Sequence, residues 1–203
     1  MAVTGYVLAG GASSRFGSDK SLAEIAGLPM YGRMQDLLRS VCSDVRVVIA
    51  SGGAERNGAM VVTDRWPGEG PLGGIITALL MTAEADASEW NLILGCDMPF
   101  LTTHWLRYVK ERAEGSRAEV IAPESRNGLE PLCAIWRTNA VAKLQTAFDS
   151  GVRKITEAMK RLEMEVIDER EWKPFDSAGR LFWNMNTVAD YEEAKKILGR
   201  ARA

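Results

Sequence analysis

The sequence predicts an α/β protein with a mostly parallel sheet. Short apolar runs alternate with helix-spaced segments of about 10–15 residues, the pattern of βαβ units. Several runs are apolar at consecutive positions, as strands covered on both faces require. Finally, loops of unusual composition follow the strands that end near Ala9, Thr63 and Gly95. In an open parallel sheet, ligands sit outside the carboxyl ends of the strands, so these loops should gather on one edge.

In chain order, Thr4–Ala9 reads as the first strand, stopped by Gly10-Gly11, and Met34, Leu37, Leu38 and Val41 mark a helix from Met30 to Val41. The β-branched run Val45–Ala50 and the segment Met60–Thr63 are strands. A Gly/Pro-rich loop, Trp66–Gly70, leads to a helix over Leu72–Ala85. Asn91–Gly95 is a strand running into Cys96-Asp97-Met98-Pro99, after which Thr102 or Thr103 caps a helix reaching Ala113. Glu119–Ala122 and Leu132–Trp136 are strands, and Thr138 caps a helix through Phe148. The remainder holds a helix (Ile155–Leu162), a strand (Glu165–Ile167) and a final helix (Val188–Leu198). No linker or repeat divides the 203 residues, so residues 1–203 form a single domain.

The composition narrows the chemistry. Twenty-five basic against 27 acidic residues give a net charge of −2, without the basic excess of a nucleic-acid binder. No apolar run is long enough for a membrane span, and the first residues lack the pattern of a secretory signal. Three scattered cysteines, Cys42, Cys96 and Cys133, suit a reducing cytoplasm better than a disulfide framework. His104 is the sole histidine, in the expected first turn of a helix where a surface or capping role suits it. Chemistry must therefore rest on carboxylates, Lys, Arg, hydroxyls and backbone amides.

The loop from Leu8 to Lys20 carries the strongest signal. Glycines after a strand let backbone amides approach a phosphate, and Arg15 and Lys20 add two cations suited to a triphosphate. It is not a Walker A loop. Asp97, at a strand end, is placed to bind Mg²⁺, which is usually held by one or two carboxylates plus phosphates. Asp64 follows another strand and divides between a ligand role and a turn or cap. Gly68-Glu69-Gly70-Pro71-Leu72-Gly73 matches the dinucleotide fingerprint, but Pro71 and Glu69 oppose that use. The segment Leu72-Gly73-Gly74 is better read as approaching a flat ligand such as a base. The six tryptophans are spread as core and rim residues, and the charged stretch Glu157–Lys173 reads as a solvated helix face and loop.

The segment Leu8-Ala9-Gly10-Gly11-x-Ser13-x-Arg15-x-Gly17-x-Asp19-Lys20 resembles the signature of the molybdenum cofactor guanylyltransferase family of nucleotidyltransferases. Gly70-Pro71-Leu72-x-Gly74, Cys96-Asp97-Met98-Pro99-Phe100-Leu101, Glu130-Pro131-Leu132 and Asn184-Met185-Asn186-Thr187 occur in that family's order. The likeness spans nearly the whole chain. Gly-Gly after Leu-Ala favours a guanylyl member over cytidylyl relatives, which typically show Leu-Ala-Ala-Gly.

The resemblance implies a three-layer α/β/α, Rossmann-like nucleotidyltransferase fold. It also implies transfer of GMP from GTP, with Mg²⁺, to the terminal phosphate of molybdopterin, giving molybdopterin guanine dinucleotide and pyrophosphate. By position, Leu8, Ala9 and Gly10 would contact the guanine nucleotide, Lys20 would hold its phosphates, Asp64 would belong to its pocket, and Asp97 would bind Mg²⁺. Asn184 and Asn186 would serve the phosphate and pterin side. Later cofactor-insertion proteins are implied as partners. Three positions depart from the family pattern: Phe16 for Met, Ser51 where an Asn often helps bind nucleotide, and Val188 for the Pro that pre-sets the last helix. The competing readings are a cytidylyl or other small-acceptor nucleotidyltransferase and a non-catalytic nucleotide-binding regulator, which would be expected to lose Lys20 or Asp97.

Overall fold

The computed structural model describes residues 1–10, 19–51 and 58–200. Its strands in chain order are β1 (Val3–Leu8), β2 (Glu24–Ile25), β3 (Leu28–Pro29), β4 (Asp44–Ile49), β5 (Met60–Thr63), β6 (Trp90–Gly95), β7 (Val120–Ser125), β8 (Gly128–Leu129), β9 (Cys133–Arg137) and β10 (Met164–Ile167). The helices are α1 (Met30–Arg39), α2 (Pro71–Glu84), α3 (Thr103–Ala113), α4 (Val141–Asp149), α5 (Ile155–Met159), α6 (Glu169–Trp172) and α7 (Val188–Arg200).

The main sheet runs β10-β7-β9-β6-β1-β4-β5, with β8 hairpinned onto β7, while β2 and β3 form a separate small hairpin. Pairings of β1 with β4 and β6, β4 with β5, and β7 with β10 are parallel. Strand β9 is antiparallel to both β6 and β7. Only residues 126–132 separate β7 from β9, too few for a parallel crossover, so the chain must turn back on itself.

Side chains alternate between two cores, as the period of an extended strand demands. Val3, Val7, Leu92, Leu94 and Ile135 enter the core under α1 and α3. Tyr6, Ile93, Ala134 and Trp136 enter the opposite core, with α2 and α4. This is the three-layer α/β/α arrangement expected, and Trp90, Trp105 and Trp136 are fully buried within it. Gly5 is required where β1 meets α1: a Cβ there would lie 3.1 Å from both Leu38 Cβ and Cys42 Sγ.

From β1 the chain moves outward to β4 and β5, then returns through α2 to β6 on the other side of β1. That reversal opens a crevice at the carboxyl ends of β1 and β6, the place where doubly wound sheets bind ligands.

Several local expectations are corrected. Thr138 caps no helix. Its hydroxyl donates to the Ser88 carbonyl and accepts from Asn91 Nδ2, tying β9 to β6, while a short 3₁₀ turn intervenes before α4. The cap of α3 is Thr102, which accepts from the Trp105 amide, and His104 packs edge-on against Phe175. The helix beginning at Ile155 ends at Met159 rather than Leu162. Within the charged stretch, Asp168 and Glu171 form a capping box that starts α6 and buries Trp172.

Candidate active site

The site is built on two strand ends. Beyond β1, the Ala9 amide donates to the Val48 carbonyl at 2.9 Å and carries Gly10 against β4. A Cβ on Gly10 would stand 3.0 Å from the Ala50 amide nitrogen, so backbone and glycine are matched there. Arg15 lies outside the described residues. The chain is next described at Asp19, whose carboxylate accepts from both the Ser21 amide and hydroxyl and so caps the 3₁₀ turn Lys20–Leu22. That cap places Lys20 at the start of the turn, facing β6.

On the other side, Asp97 sits in the turn after β6. Lys20 Nζ lies 3.4 Å from Asp97 Oδ2 and donates to the Met185 carbonyl at 2.9 Å. The Met185 amide in turn donates to the Asp97 carbonyl at 2.7 Å. Asp97 Oδ1 is buried and, among the described residues, has no hydrogen-bond partner. It crosses close over Gly95, where a Cβ would stand 2.8 Å away. Leu8, Ala9, Gly10, Lys20, Pro71 and Asp97 line a common cleft of about 250 Å³.

The other expected residues are placed differently. Asp64 lies at the end of β5, and its Oδ1 accepts from the Trp66 amide and the Thr77 hydroxyl, each at 3.0 Å. It thus organises the loop into α2, outside the residues that line the cleft. Leu72, Gly73 and Gly74 offer no open face to a base: all three are buried, Gly73 against Trp66 and Gly74 against Leu8. Of that segment only Pro71 reaches the cleft. Glu69 is turned outward to Arg153 at 2.6 Å, and the dinucleotide reading finds no support. Ser51 is exposed after β4, as is Asn186, whose backbone amide donates to Asp190.

Asn184 belongs to a network that the sequence did not expose. Glu130 is 6% exposed, and its Oε1 accepts from the Ser125 hydroxyl at 2.7 Å. Burial pushes its carboxyl above the usual range. Hydrogen bonds from Ser125 and Asn184 oppose that rise, and the negative charge of Asp97 adds to it. Asn184 Nδ2 also donates to the Phe182 carbonyl at 3.3 Å. Glu130 was visible in the sequence only as part of Glu130-Pro131-Leu132. Asp19 could have been found, since Asp-x-Ser at the start of a turn is a capping pattern.

The donor set suits a hard divalent cation shared with phosphates. One carboxylate oxygen is buried and unpartnered, which is costly unless a cation or donor meets it. Among the described residues no group of three His, Cys, Asp or Glu could enclose a metal alone. Nor is thiol chemistry indicated: burial pushes Cys133 up to about 12, and it lies beside the Trp105 indole N–H, which donates to its sulfur.

Comparison with known proteins bears on the family and the fold. The model of the MobA-like NTP transferase domain matches residues 5–164. A molybdenum cofactor guanylyltransferase of Desulfosudis oleivorans is 31% identical over 99% of this chain and 98% of its own. A relative in Pelotomaculum thermopropionicum, named "Probable molybdenum cofactor guanylyltransferase", is 31% identical over 98% of this chain and 95% of its own. Among solved structures, molybdopterin-guanine dinucleotide biosynthesis protein A of Archaeoglobus fulgidus superposes with a TM-score of 0.83 at 24% identity, covering 97% of this chain and 99% of that one, a likeness of fold. With a cleft at the switch point and kinship along its full length, the chain belongs to the molybdenum cofactor guanylyltransferases, enzymes built on the MobA-like NTP transferase domain.

Proposed function

We propose that this enzyme transfers GMP from GTP to the terminal phosphate of molybdopterin, releasing pyrophosphate and forming molybdopterin guanine dinucleotide. The observation that carries the reading is the meeting of Lys20 with Asp97 across the crevice between β1 and β6, with one Asp97 oxygen buried and unpartnered. A cation from one strand end and a carboxylate from the other suit a magnesium nucleoside triphosphate.

Attack by a phosphate oxygen on the α-phosphorus, in line with the departing pyrophosphate, needs no His or Cys because the nucleophile is already anionic. The chain's task is to position two polyanions and offset their charge. Leu8, Ala9 and Gly10 present backbone to the guanine nucleotide. Lys20, with Arg15, neutralises charge developing on the leaving pyrophosphate. Asp97 would hold Mg²⁺ through Oδ1, the oxygen that has no hydrogen-bond partner among the described residues. When bound, the ion supplies charge neutralisation at the phosphates. Asp64 acts indirectly, by fixing the loop that delivers Pro71 to the cleft. Asn184 and Asn186 serve the acceptor side.

Among the described residues no helix is long and apolar enough to cross a membrane. We place the reaction in the cytoplasm, with cofactor-insertion proteins receiving the product. The test is incubation of the full chain with Mg²⁺, molybdopterin and either GTP or CTP, followed by mass analysis. The guanine dinucleotide is the expected product. A cytosine dinucleotide, or none with either nucleotide, would overturn the reading.

A further inference from the structure

Another cavity, of about 260 Å³, opens where the turn from β7 to β8 faces α6 and the loop after it. Trp172, Phe182 and Trp183 form its apolar part, and Arg126, Asn127 and Glu169 stand among its polar lining. Its volume lies just under the about 300–1,000 Å³ of sites for drug-sized ligands, so it suits a single ring system.

Its walls are held by the protein's own contacts. The Trp172 indole N–H donates to the Glu124 carbonyl at 2.9 Å, and its ring meets Phe182 edge-on with centroids 5.2 Å apart. Asp176 Oδ1 accepts from the Arg180 and Leu181 amides at 2.7 and 3.0 Å, which fixes the loop leading to Phe182 and Trp183. At the rim, Glu169 lies 3.9 Å from Arg126 and 3.6 Å from Lys173. Pairs this long and exposed contribute little, so a ligand displaces them at small cost.

The sheet sets this cavity beside the reacting centre. Strand β9 is antiparallel to both β6 and β7, so β6 and β7 end on the same edge with only β9 between them. Lys20 reaches Asp97 from the β1 side of β6, whereas the cavity lies at the end of β7, on the other side. Trp183 is two residues from Met185, whose amide donates to the Asp97 carbonyl at 2.7 Å, so at most about 7 Å of chain separates Trp183 from that contact. The Trp183 ring also packs 5.5 Å from Phe100, just beyond Asp97. Attack in line with the departing pyrophosphate requires the acceptor to enter opposite the leaving group. With pyrophosphate held on the Lys20 side, the acceptor comes from the side of this cavity.

We propose that this cavity is the subsite for the acceptor's ring: a flat, nitrogen-rich heteroaromatic system stacks against Trp183, and its ring N–H groups donate to the Glu169 carboxylate and the Asn127 amide oxygen. The inference rests on the function proposed above and deepens it, giving the ring a site of its own apart from the guanine nucleotide. An aromatic wall with acceptors at its rim matches such a ring, which has apolar faces and a polar edge.

The test separates this cavity from the nucleotide cleft. Binding of an unphosphorylated pterin and of guanosine would be measured by calorimetry for the wild-type chain, Trp183→Ala, Trp183→Phe and Asn127→Trp. Asn127 is exposed in the turn between β7 and β8, so a tryptophan there fills the mouth of the cavity without entering the core. It keeps the test decisive if Trp183→Ala fails to fold. We expect Trp183→Ala and Asn127→Trp each to weaken pterin binding about tenfold, the scale of one stacking contact. Trp183→Phe should stay within about threefold of wild type, and guanosine binding should be unchanged throughout. In turnover, KM for molybdopterin should rise in Asn127→Trp while KM for GTP stays within about twofold of wild type. Pterin binding that is absent in the wild type or unaffected by Asn127→Trp would overturn the proposal, as would an equal loss of guanosine binding. Failure of the wild-type chain to make dinucleotide, with the pterin effect intact, would instead overturn the reaction proposed above.

Discussion

Lys20 and Asp97 are 77 positions apart in sequence, yet Lys20 Nζ lies 3.4 Å from Asp97 Oδ2 at the crevice between β1 and β6. Their side chains are 21% and 23% exposed, so the pair is screened less than a surface ion pair but remains open to a ligand. On the function proposed, a triphosphate would compete for the cation and a divalent ion for the carboxylate. Lys20→Ala should therefore lower kcat/KM for GTP by about 10²–10³, the scale of losing a charged donor aimed at a transition state. Asp97→Asn should raise the Mg²⁺ concentration needed for half-maximal activity by at least about tenfold. Pyrophosphate release against GTP and Mg²⁺ titrations reads both, and unchanged titrations would remove these residues from the site.

Gly95 separates site from scaffold. The atom its Cβ would strike first, at 2.8 Å, is Asp97 Oδ1, the free end of a side chain, with Leu132 Cβ at 3.3 Å. Gly95→Ala should therefore displace the carboxylate more than the strand. We expect activity to fall at least about tenfold while stability changes by no more than about 1–2 kcal/mol. Thermal denaturation and turnover measured on one preparation decide it, and full activity in the variant would contradict the placement.

Glu130 makes stability depend on pH. Burial raises its carboxyl above the unfolded value of about 4.3, so the folded chain holds that proton more tightly. The resulting stabilisation is complete below about pH 4.3 and disappears as pH rises through the folded pKa. Glu130→Gln does not titrate here. Its Tm relative to wild type should thus become more positive between about pH 4 and pH 8. Parallel Tm curves over that range would show that the buried carboxyl is not the cause.

The start of α7 compensates for a missing proline. Thr187 Oγ1 accepts from the Asp190 amide at 3.1 Å, while Asp190 Oδ2 accepts from the amides of Thr187 and Asn186. This reciprocal cap orders the turn that Val188 does not pre-set. Thr187→Ala should cost about 1 kcal/mol. Val188→Pro, at an exposed first helical position whose amide needs no intrahelical partner, should add about 0.5 kcal/mol. Chemical denaturation measures both; a destabilised Val188→Pro would mean that Val188 contributes more than its backbone.

The features legible in the sequence were those set by local pattern. β1, β4 and β6 declared themselves as apolar runs, and Gly10 and Asp97 stood out because each follows a strand. Features set by distant partners were not legible. Thr138 has the chemistry of a cap, but Asn91 and Ser88 occupy its hydroxyl. Gly73 and Gly74 suggest ligand approach, yet Gly73 is small because Trp66 needs the room, and Gly74 is buried against Leu8. The reversed direction of β9 was available in the shortness of residues 126–132, and α6 in the Asp168–Glu171 pattern. Glu130 was not, because its burial comes only with the fold.

The tail of the chain completes the machinery at its head. The Tyr191 hydroxyl donates to the Glu24 carbonyl at 2.8 Å, in the hairpin that follows the Lys20 turn, and the Met185 carbonyl receives Lys20 itself. Both contacts come from beyond residue 164, where the family model's match ends. Among the described residues all ten strands are complete at Ile167, so a chain still growing on the ribosome can finish its sheet before it possesses this anchor. The anchor of the Lys20 turn is thus supplied by chain that follows the finished sheet.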